Sequence, residues 1–234
     1  MINAQGCRKN AAALIDFIMK KYDIIVWDFN GTVLDDVQIG IESINCLLGR
    51  RGMKQISSRS EYQESFGFPI IEWYRSLGFD FEKESYTVVA NEWVAEYVAR
   101  ESEAPLCDGV IDLAEYFKNE GNRQVIISAS EENMLNRQLL SLGVRGYYDE
   151  VIGKNDVYAS GKIETARKWR AENQGDILFI GDTDHDLDVA DAIDADCVLV
   201  AAGHQSYDRL CSLRRKLNKK LVVVRHLREI IDIL

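Results

Sequence analysis

The stretch "DIIVWDFNGTVLDD", residues 23–36, decides how the rest of the chain is read. A short β-rich apolar run ends at Trp27 and delivers Asp28 into a turn built from Asn30, Gly31 and Thr32, with a second acidic pair at Asp35 and Asp36. Runs of the same kind follow at 124–128 ("QVIIS"), 149–153 ("DEVIG"), 176–180 ("DILFI"), 196–200 ("DCVLV") and 221–224 ("LVVV"), with helical segments between them. That alternation predicts an α/β domain with a parallel sheet. Most of the runs lack polar alternation, so their strands are expected to be buried on both faces.

One interval breaks the rhythm. Nearly a hundred residues separate the first run from the second, whereas a crossover needs only about a dozen. The interval carries helical periodicity: Ile41, Ile44, Leu47 and Leu48 share one face, and Trp93, Val94, Tyr97 and Val98 mark another. Breaks fall at Gly52, Gly67, Pro69, Gly78 and Pro105. The expected organisation is an N-terminal helix or extension over 1–21, an α/β core over 22–35 and 105–234, and a helical insert over 36–104.

A formal charge of -10 argues against nonspecific attraction to nucleic acid or to an anionic membrane surface. No apolar run approaches the roughly 18 residues of a membrane span. The N-terminal run "AAALIDFIM" is interrupted by Asp16 and lacks a small-residue cleavage site, which argues against a signal peptide. Five cysteines, at 7, 46, 107, 197 and 211, form no close pair and read as reduced, mostly buried thiols of a cytoplasmic protein. The basic run 212–220 reads as a solvated helix face, and a monomer is the simplest expectation.

The second informative stretch is "ILFIGDTDHDLDVADA", 177–192, where a buried strand ends at Gly181 and Asp182, Thr183, Asp184 and Asp186 crowd the turn that follows. Ligands of parallel sheets bind beyond the carboxyl ends of the strands, the end at which Asp28 also emerges. Two strands thus present acids to one place, which is costly unless a cation lies between them, and carboxylates with water and a phosphate are how Mg²⁺ is usually held. Ser128 closes the second strand beside a helix start that Ser130 or Glu131 can cap, a suitable seat for a phosphate. Lys162 opens another helix and can bring an ammonium to the same anion; Lys154 is the competing candidate.

"DFNGTVLDD", the strand-ending Ser128, Lys162 and "GDTDHD" occur in the order of the four signature motifs of the haloacid dehalogenase superfamily, and residues 22–205 resemble that family. "FGFP" at 66–69, "PLCDGVIDLAEYFKNEG" and "GHQSYDRL" are similar to its phosphoglycolate phosphatase-like branch. The resemblance implies a Rossmann-like three-layer core with a helical cap, acting as a Mg²⁺-dependent phosphatase on a small phosphorylated metabolite. It implies Asp28 as the nucleophile that becomes an aspartyl phosphate. Asp28, Asp182 and the main-chain carbonyl of Asn30 would hold the metal, with Asp186 supporting the metal shell and Lys162. Thr32, Ser128, Ala129 and Lys162 would face the phosphoryl group.

Asn30 departs from the pattern. In phosphatases of the superfamily this position is usually Asp, which protonates the leaving alcohol and then deprotonates water; an amide does neither. A positioned acid or base contributes about 10² to 10⁴ in rate, so its loss slows such a reaction without abolishing it. Three readings stand open. The chain hydrolyses an ester whose leaving group needs little protonation, or uses another acid among His185, Asp36 and His204. It binds phosphate and Mg²⁺ as a regulatory module without turnover. Or it performs chemistry such as dehalogenation, against which the acidic loop argues, because that reaction needs no Mg²⁺. For each replacement acid there is a plainer role: His185 in a solvated loop, Asp36 as a helix cap, His204 bonded to the turn after Gly203. The aromatic residues Phe66, Phe68, Trp73, Tyr74, Phe79 and Phe81 are expected to pack as core of the insert, and Arg75 or Lys83 to meet a substrate carboxylate.

Overall fold

The computed structural model describes residues 22–154, 161–213 and 220–232. The helix expected over 8–21 and most of the basic run lie outside those residues. Six strands form one parallel sheet: β1 (Ile24–Trp27), β2 (Arg123–Glu131), β3 (Glu150–Lys154), β4 (Ile177–Gly181), β5 (Asp196–Val200) and β6 (Leu221–Val224), in the order β3-β2-β1-β4-β5-β6. Each expected run is found within one residue at its start. The largest difference is that β2 continues to Glu131, so Ser128 lies inside the strand rather than at its end.

The strands are sorted by alternation. Ile25 and Trp27 face the side covered by helices Val110–Asn119 and Glu132–Ser141, whereas Ile24 and Val26 face Lys162–Glu172 and Asp184–Ala192. Every residue of β1, β4 and β5 is buried, as expected of strands sandwiched between helical layers. The one buried polar side chain facing the core from β2, Gln124, is satisfied: it accepts from Trp27 Nε1 at 3.1 Å and donates to the Ala114 carbonyl at 2.8 Å.

In chain order the helices are α1 (Val37–Arg50), α2 (Arg59–Ser65), α3 (Ile70–Ser76), α4 (Tyr86–Val98), α5 (Val110–Asn119), α6 (Glu132–Ser141), α7 (Lys162–Glu172), α8 (Asp184–Ala192), α9 (Tyr207–Cys211) and α10 (Arg228–Ile231). Helices α1 to α4 fall between β1 and β2 and share a separate apolar cluster built on Ile44, Leu47, Leu48, Tyr62, Trp73 and Val89. The periodic residues of α1 are all buried there. Val94 and Val98 of α4 are not: they remain 51% and 47% exposed. No disulfide joins the described cysteines; only Cys197 is fully buried, and Cys211 is exposed on α9. Among the described residues no helix is long and apolar enough to cross a membrane.

Leu47 is fully buried in the cluster of the insert. Leu47→Ala is expected to lower stability by about 2 to 5 kcal/mol, read from the denaturant midpoint in chemical unfolding.

Candidate active site

The register of the two central strands builds the site. Trp27 pairs with Ile180 across β1 and β4, so Asp28 and Asp182 leave neighbouring strand ends on the same edge. The Asp28 amide, one step beyond β1, still donates to the Ile180 carbonyl at 2.8 Å, which fixes where the side chain begins. Asp186 arrives from the first turn of α8, where it forms a capping box with Thr183. Carboxylate oxygens of Asp28, Asp182 and Asp186 lie within 4.8 Å of one another, and all three residues are buried. Lys162, at the start of α7, donates to Asp28 and, at 2.5 Å, to Asp186.

Three carboxylates against one ammonium leave this pocket with a surplus of two negative charges. The surplus shows in the proton affinities. Burial, reinforced by Asp186, pushes the Asp28 carboxyl up to about 7 despite the opposing pull of Lys162. Burial likewise raises Asp182 well above the usual carboxylate range, with Asp186 and Asp28 adding to it. For Asp186 the cost of burial is outweighed by Lys162 and the hydrogen bonds of the capping box, which hold it low. The donor set fits a small, hard divalent cation. Oxygens of Asp28 and Asp182 face the shared space, and the Asn30 carbonyl accepts no backbone hydrogen bond among the described residues. Asp186 suits a supporting place better than a coordinating one, because Oδ1 accepts from Lys162 and Oδ2 accepts from Asp182 N, Thr183 N and Thr183 Oγ1.

Asn30 is held at both ends. Its Nδ2 donates to Asp36 Oδ2 and to the Tyr97 hydroxyl, each at 2.8 Å, and its Oδ1 accepts from Ser130 Oγ at 2.9 Å. Asp36 therefore does not act as a helix cap: it stands at the N-cap position of α1 without a side-chain cap bond and turns into the site. There it accepts from Tyr97 Oη at 2.8 Å, from Gly31 N at 2.9 Å and from His204 Nε2 at 3.2 Å. The other ring nitrogen, His204 Nδ1, lies 2.9 Å from the Tyr62 hydroxyl. Burial works against charge on this histidine, but the adjoining Asp36 carboxylate prevails and lifts it to about 9. Burial works against charge on Asp36 too, but His204, the Tyr97 hydroxyl and the Asn30 amide outweigh it and hold the carboxyl low. The pair is ionised at neutral pH.

Other residues singled out in the sequence fall as follows. Ser128 and Ala129 line the cavity above the carboxylates. Thr32 does not; its hydroxyl donates to Asp182 Oδ1 at 3.2 Å and steadies that side chain. Lys154 is the last residue of β3 and is absent from the cavity lining, which leaves the lysine place to Lys162. His185 is half-buried rather than solvated, its ring 4.7 Å from that of Phe68, because the insert folds over it. Asp184 turns away to Arg209 and Gln205. Arg75 and Lys83 pair locally with Glu72 and Asp80 and do not reach the cavity.

Above the carboxylates lies a cavity of about 450 Å³ between the sheet edge and the insert. Phe66, Trp73 and Tyr74 line it and are walls as well as core; Phe68 lines it too but is 42% exposed and not part of the core expected of it, and Phe79 and Phe81 stay in the insert. Tyr62, Tyr97 and Ser130 were missed as site residues in the sequence. The one available signal lay in α4, where apolar residues at 93, 94, 97 and 98 make a stripe wider than a single buried face requires.

Six parallel strands in this order, with acids at the ends of the two central ones, define a Rossmann-like α/β protein whose site lies at the reversal of strand order and is adapted to a cation and an anion together. The family model for haloacid dehalogenase-like hydrolases matches residues 25–200, and the chain belongs to that family. Solved structures agree on the fold. The protein tyrosine kinase A of Mycobacterium tuberculosis is 20% identical, with a TM-score of 0.74 over 91% of this chain and 98% of that one. A predicted phosphatase from Clostridium acetobutylicum is 21% identical, with a TM-score of 0.71 over 92% of this chain and 100% of the other. A phosphoglycolate phosphatase-like protein from Lactobacillus plantarum is 18% identical, with a TM-score of 0.69 over 92% and 100%. No curated protein matches the chain in sequence.

Two measurements check the electrostatics. Without a cation, the raised affinity of Asp28 contributes stability that is present at low pH and is lost as pH rises through about 7. Added Mg²⁺ is therefore expected to raise the thermal midpoint more at pH 8 than at pH 5, where it must displace protons. Asn30→Asp would set a second carboxylate against Asp36, where the amide now donates at 2.8 Å. Its folded-state proton affinity is expected to be raised, so the variant's deficit in thermal midpoint relative to the parent should widen between pH 5 and pH 8.

Proposed function

We propose that the protein is a Mg²⁺-dependent phosphatase that acts on a small phosphorylated compound through an aspartyl phosphate on Asp28. The observation that carries this reading is the convergence of Asp28, Asp182 and Lys162 at neighbouring strand ends beneath a cavity roofed by the insert. Asp28 attacks phosphorus, and Lys162, already between Asp28 and Asp186, follows the negative charge onto the phosphoryl oxygens. Ser128 Oγ and the main chain at Ala129 complete the anion seat, and the Ser130 amide donates to Ser128 Oγ at 3.1 Å. Asp28, Asp182 and the Asn30 carbonyl would hold the cation, with Asp186 behind them. Bound there, Mg²⁺ would supply positive charge that offsets the negative charge of the phosphoryl group. Residues 36–104 act as a cap that excludes water from the transfer. Several cross-contacts support the closed arrangement, among them Asn30 to Tyr97, Tyr62 to His204, and Gln63 Nε2 to the Gly203 carbonyl at 2.6 Å.

Asn30 favours a second reading, a phosphate-binding module without turnover. Acetyl phosphate separates the two, because acetate leaves without protonation and the compound needs no fit to the cavity. Release of inorganic phosphate that requires Mg²⁺, stops with chelator and falls by at least about 10³-fold in Asp28→Asn supports the enzyme. Phosphate binding by calorimetry with no turnover supports the module. With an amide at position 30 no side chain there deprotonates the attacking water, so the second half-reaction is expected to lag. A burst of acetate release in quenched flow, and a phosphoryl group on the peptide containing Asp28 by mass spectrometry, check this.

A further inference from the structure

We propose that the substrate is a phosphate monoester of a phenol, whose ring fills the cavity and whose phenolate leaves without help from an acid. This rests on the phosphatase reading above and narrows it. Three independent observations converge on that chemistry.

The first is the wall. Phe66, Phe68, Trp73, Trp93, Val94 and Val98 face the cavity, and Phe68, Val94 and Val98 keep 42%, 51% and 47% of their surface exposed. An apolar surface of this kind, next to a buried charged centre, suits a flat hydrophobic body. The second is charge. Among the described residues lining the cavity Lys162 is the only lysine or arginine, and it is committed to Asp28 and Asp186. His204, also on the lining, is taken by Asp36, so among the described lining residues no unpaired cation is left for a second anionic group, and a carboxylate or a further phosphate on the substrate would be buried unpaired.

The third is the proton supply. Asn30 stands where an acid would serve the leaving oxygen, and it is locked by Asp36, Tyr97 and Ser130. The hydroxyl of Tyr97 donates to Asp36. Both ring nitrogens of His204 are engaged, by Asp36 and by Tyr62. Asn30, Tyr97 and His204 are thus committed to partners within the protein, and His185, the other imidazole on the described lining, packs its ring 4.7 Å from that of Phe68 in the wall. A phenol, with a pKa of about 10, departs as its anion far more readily than an alcohol near the roughly 16 of water.

In the reaction an Asp28 carboxylate oxygen bonds to phosphorus while the bond from phosphorus to the aryl oxygen breaks. Its electron pair leaves on the phenolate, which takes a proton from water. A second water then attacks phosphorus, the bond to Asp28 breaks and restores the carboxylate, and the proton of that water passes to the released phosphate.

The test compares kcat/KM for phenyl phosphate, benzyl phosphate and phosphoglycolate in Mg²⁺, with acetyl phosphate as the control for the chemistry. Phenyl and benzyl phosphate share a ring and differ in the leaving oxygen; phosphoglycolate lacks the ring and carries a carboxylate. Phenyl phosphate should exceed benzyl phosphate by about 10²-fold or more, the contribution of the acid that is missing. It should exceed phosphoglycolate by a similar margin. Val94→Asp and Val98→Asp, both at exposed positions, should raise KM for phenyl phosphate at least tenfold more than they raise it for acetyl phosphate. Equal rates on phenyl and benzyl phosphate, or preference for phosphoglycolate, overturn the proposal while acetyl phosphate turnover leaves the phosphatase reading standing. Silence on all four compounds overturns both.

Discussion

The parallel pairing of β1 with β4 is the constraint on which the site depends. Because Trp27 stands opposite Ile180, the chain emits Asp28 and Asp182 side by side from a sheet whose interior carries no charge to offset them. Everything around those carboxylates answers the resulting repulsion. Lys162 neutralises part of it, the capping box fixes Asp186 as a buffer behind, and the rest calls for a cation. The electrostatic demand originates in backbone hydrogen bonds rather than in the side chains that express it.

The insert answers a different demand. Its own apolar cluster makes it coherent, Ile39 and Tyr97 pack into the cluster of the core, and its polar contacts with the core gather near the site: Asn30 on Tyr97, Tyr62 on His204, Gln63 on the 201–203 turn, and Arg209 reaching the Phe66 carbonyl. The Asp36–His204 pair is the joint between the two. It is an ion pair out of water whose remaining hydrogen-bonding capacity is taken up by two tyrosines of the insert, the Asn30 amide and the Gly31 N–H, the arrangement that keeps a buried pair from being a liability.

How much of this was legible in the sequence follows from range. The strands were plain because uninterrupted β-branched runs have few other uses, and the acids at 28 and 182 were plain because each ends such a run. Lys162 over Lys154 was not decidable from spacing, since one opens a helix and the other follows a strand end eight residues before it; in the structure Lys162, at the start of α7, lies beside Asp28 and Lys154 does not line the cavity. Asp36 and His204 were named but assigned plainer roles, because no local pattern shows two residues 168 positions apart forming a pair. Val94 and Val98 read as part of an apolar helix face from periodicity, which does not say whether protein or ligand covers that face. Asn30 was read correctly as a departure, yet the reason an amide suits the place lies in three partners contributed by α1's start, α4 and β2.

Two glycines complete the site. A Cβ on Gly31 would come within 2.3 Å of Asp182 Oδ2, and one on Gly203 within 2.2 Å of the same atom. Gly31 also holds φ at +76°, a conformation side chains resist. Asp182 is therefore clasped between two bare stretches of main chain and cannot swing aside to escape its neighbours. Tolerance to substitution in this protein should accordingly be lowest at positions that contribute no side chain whatever: even a methyl group there would have to occupy the volume of a carboxylate.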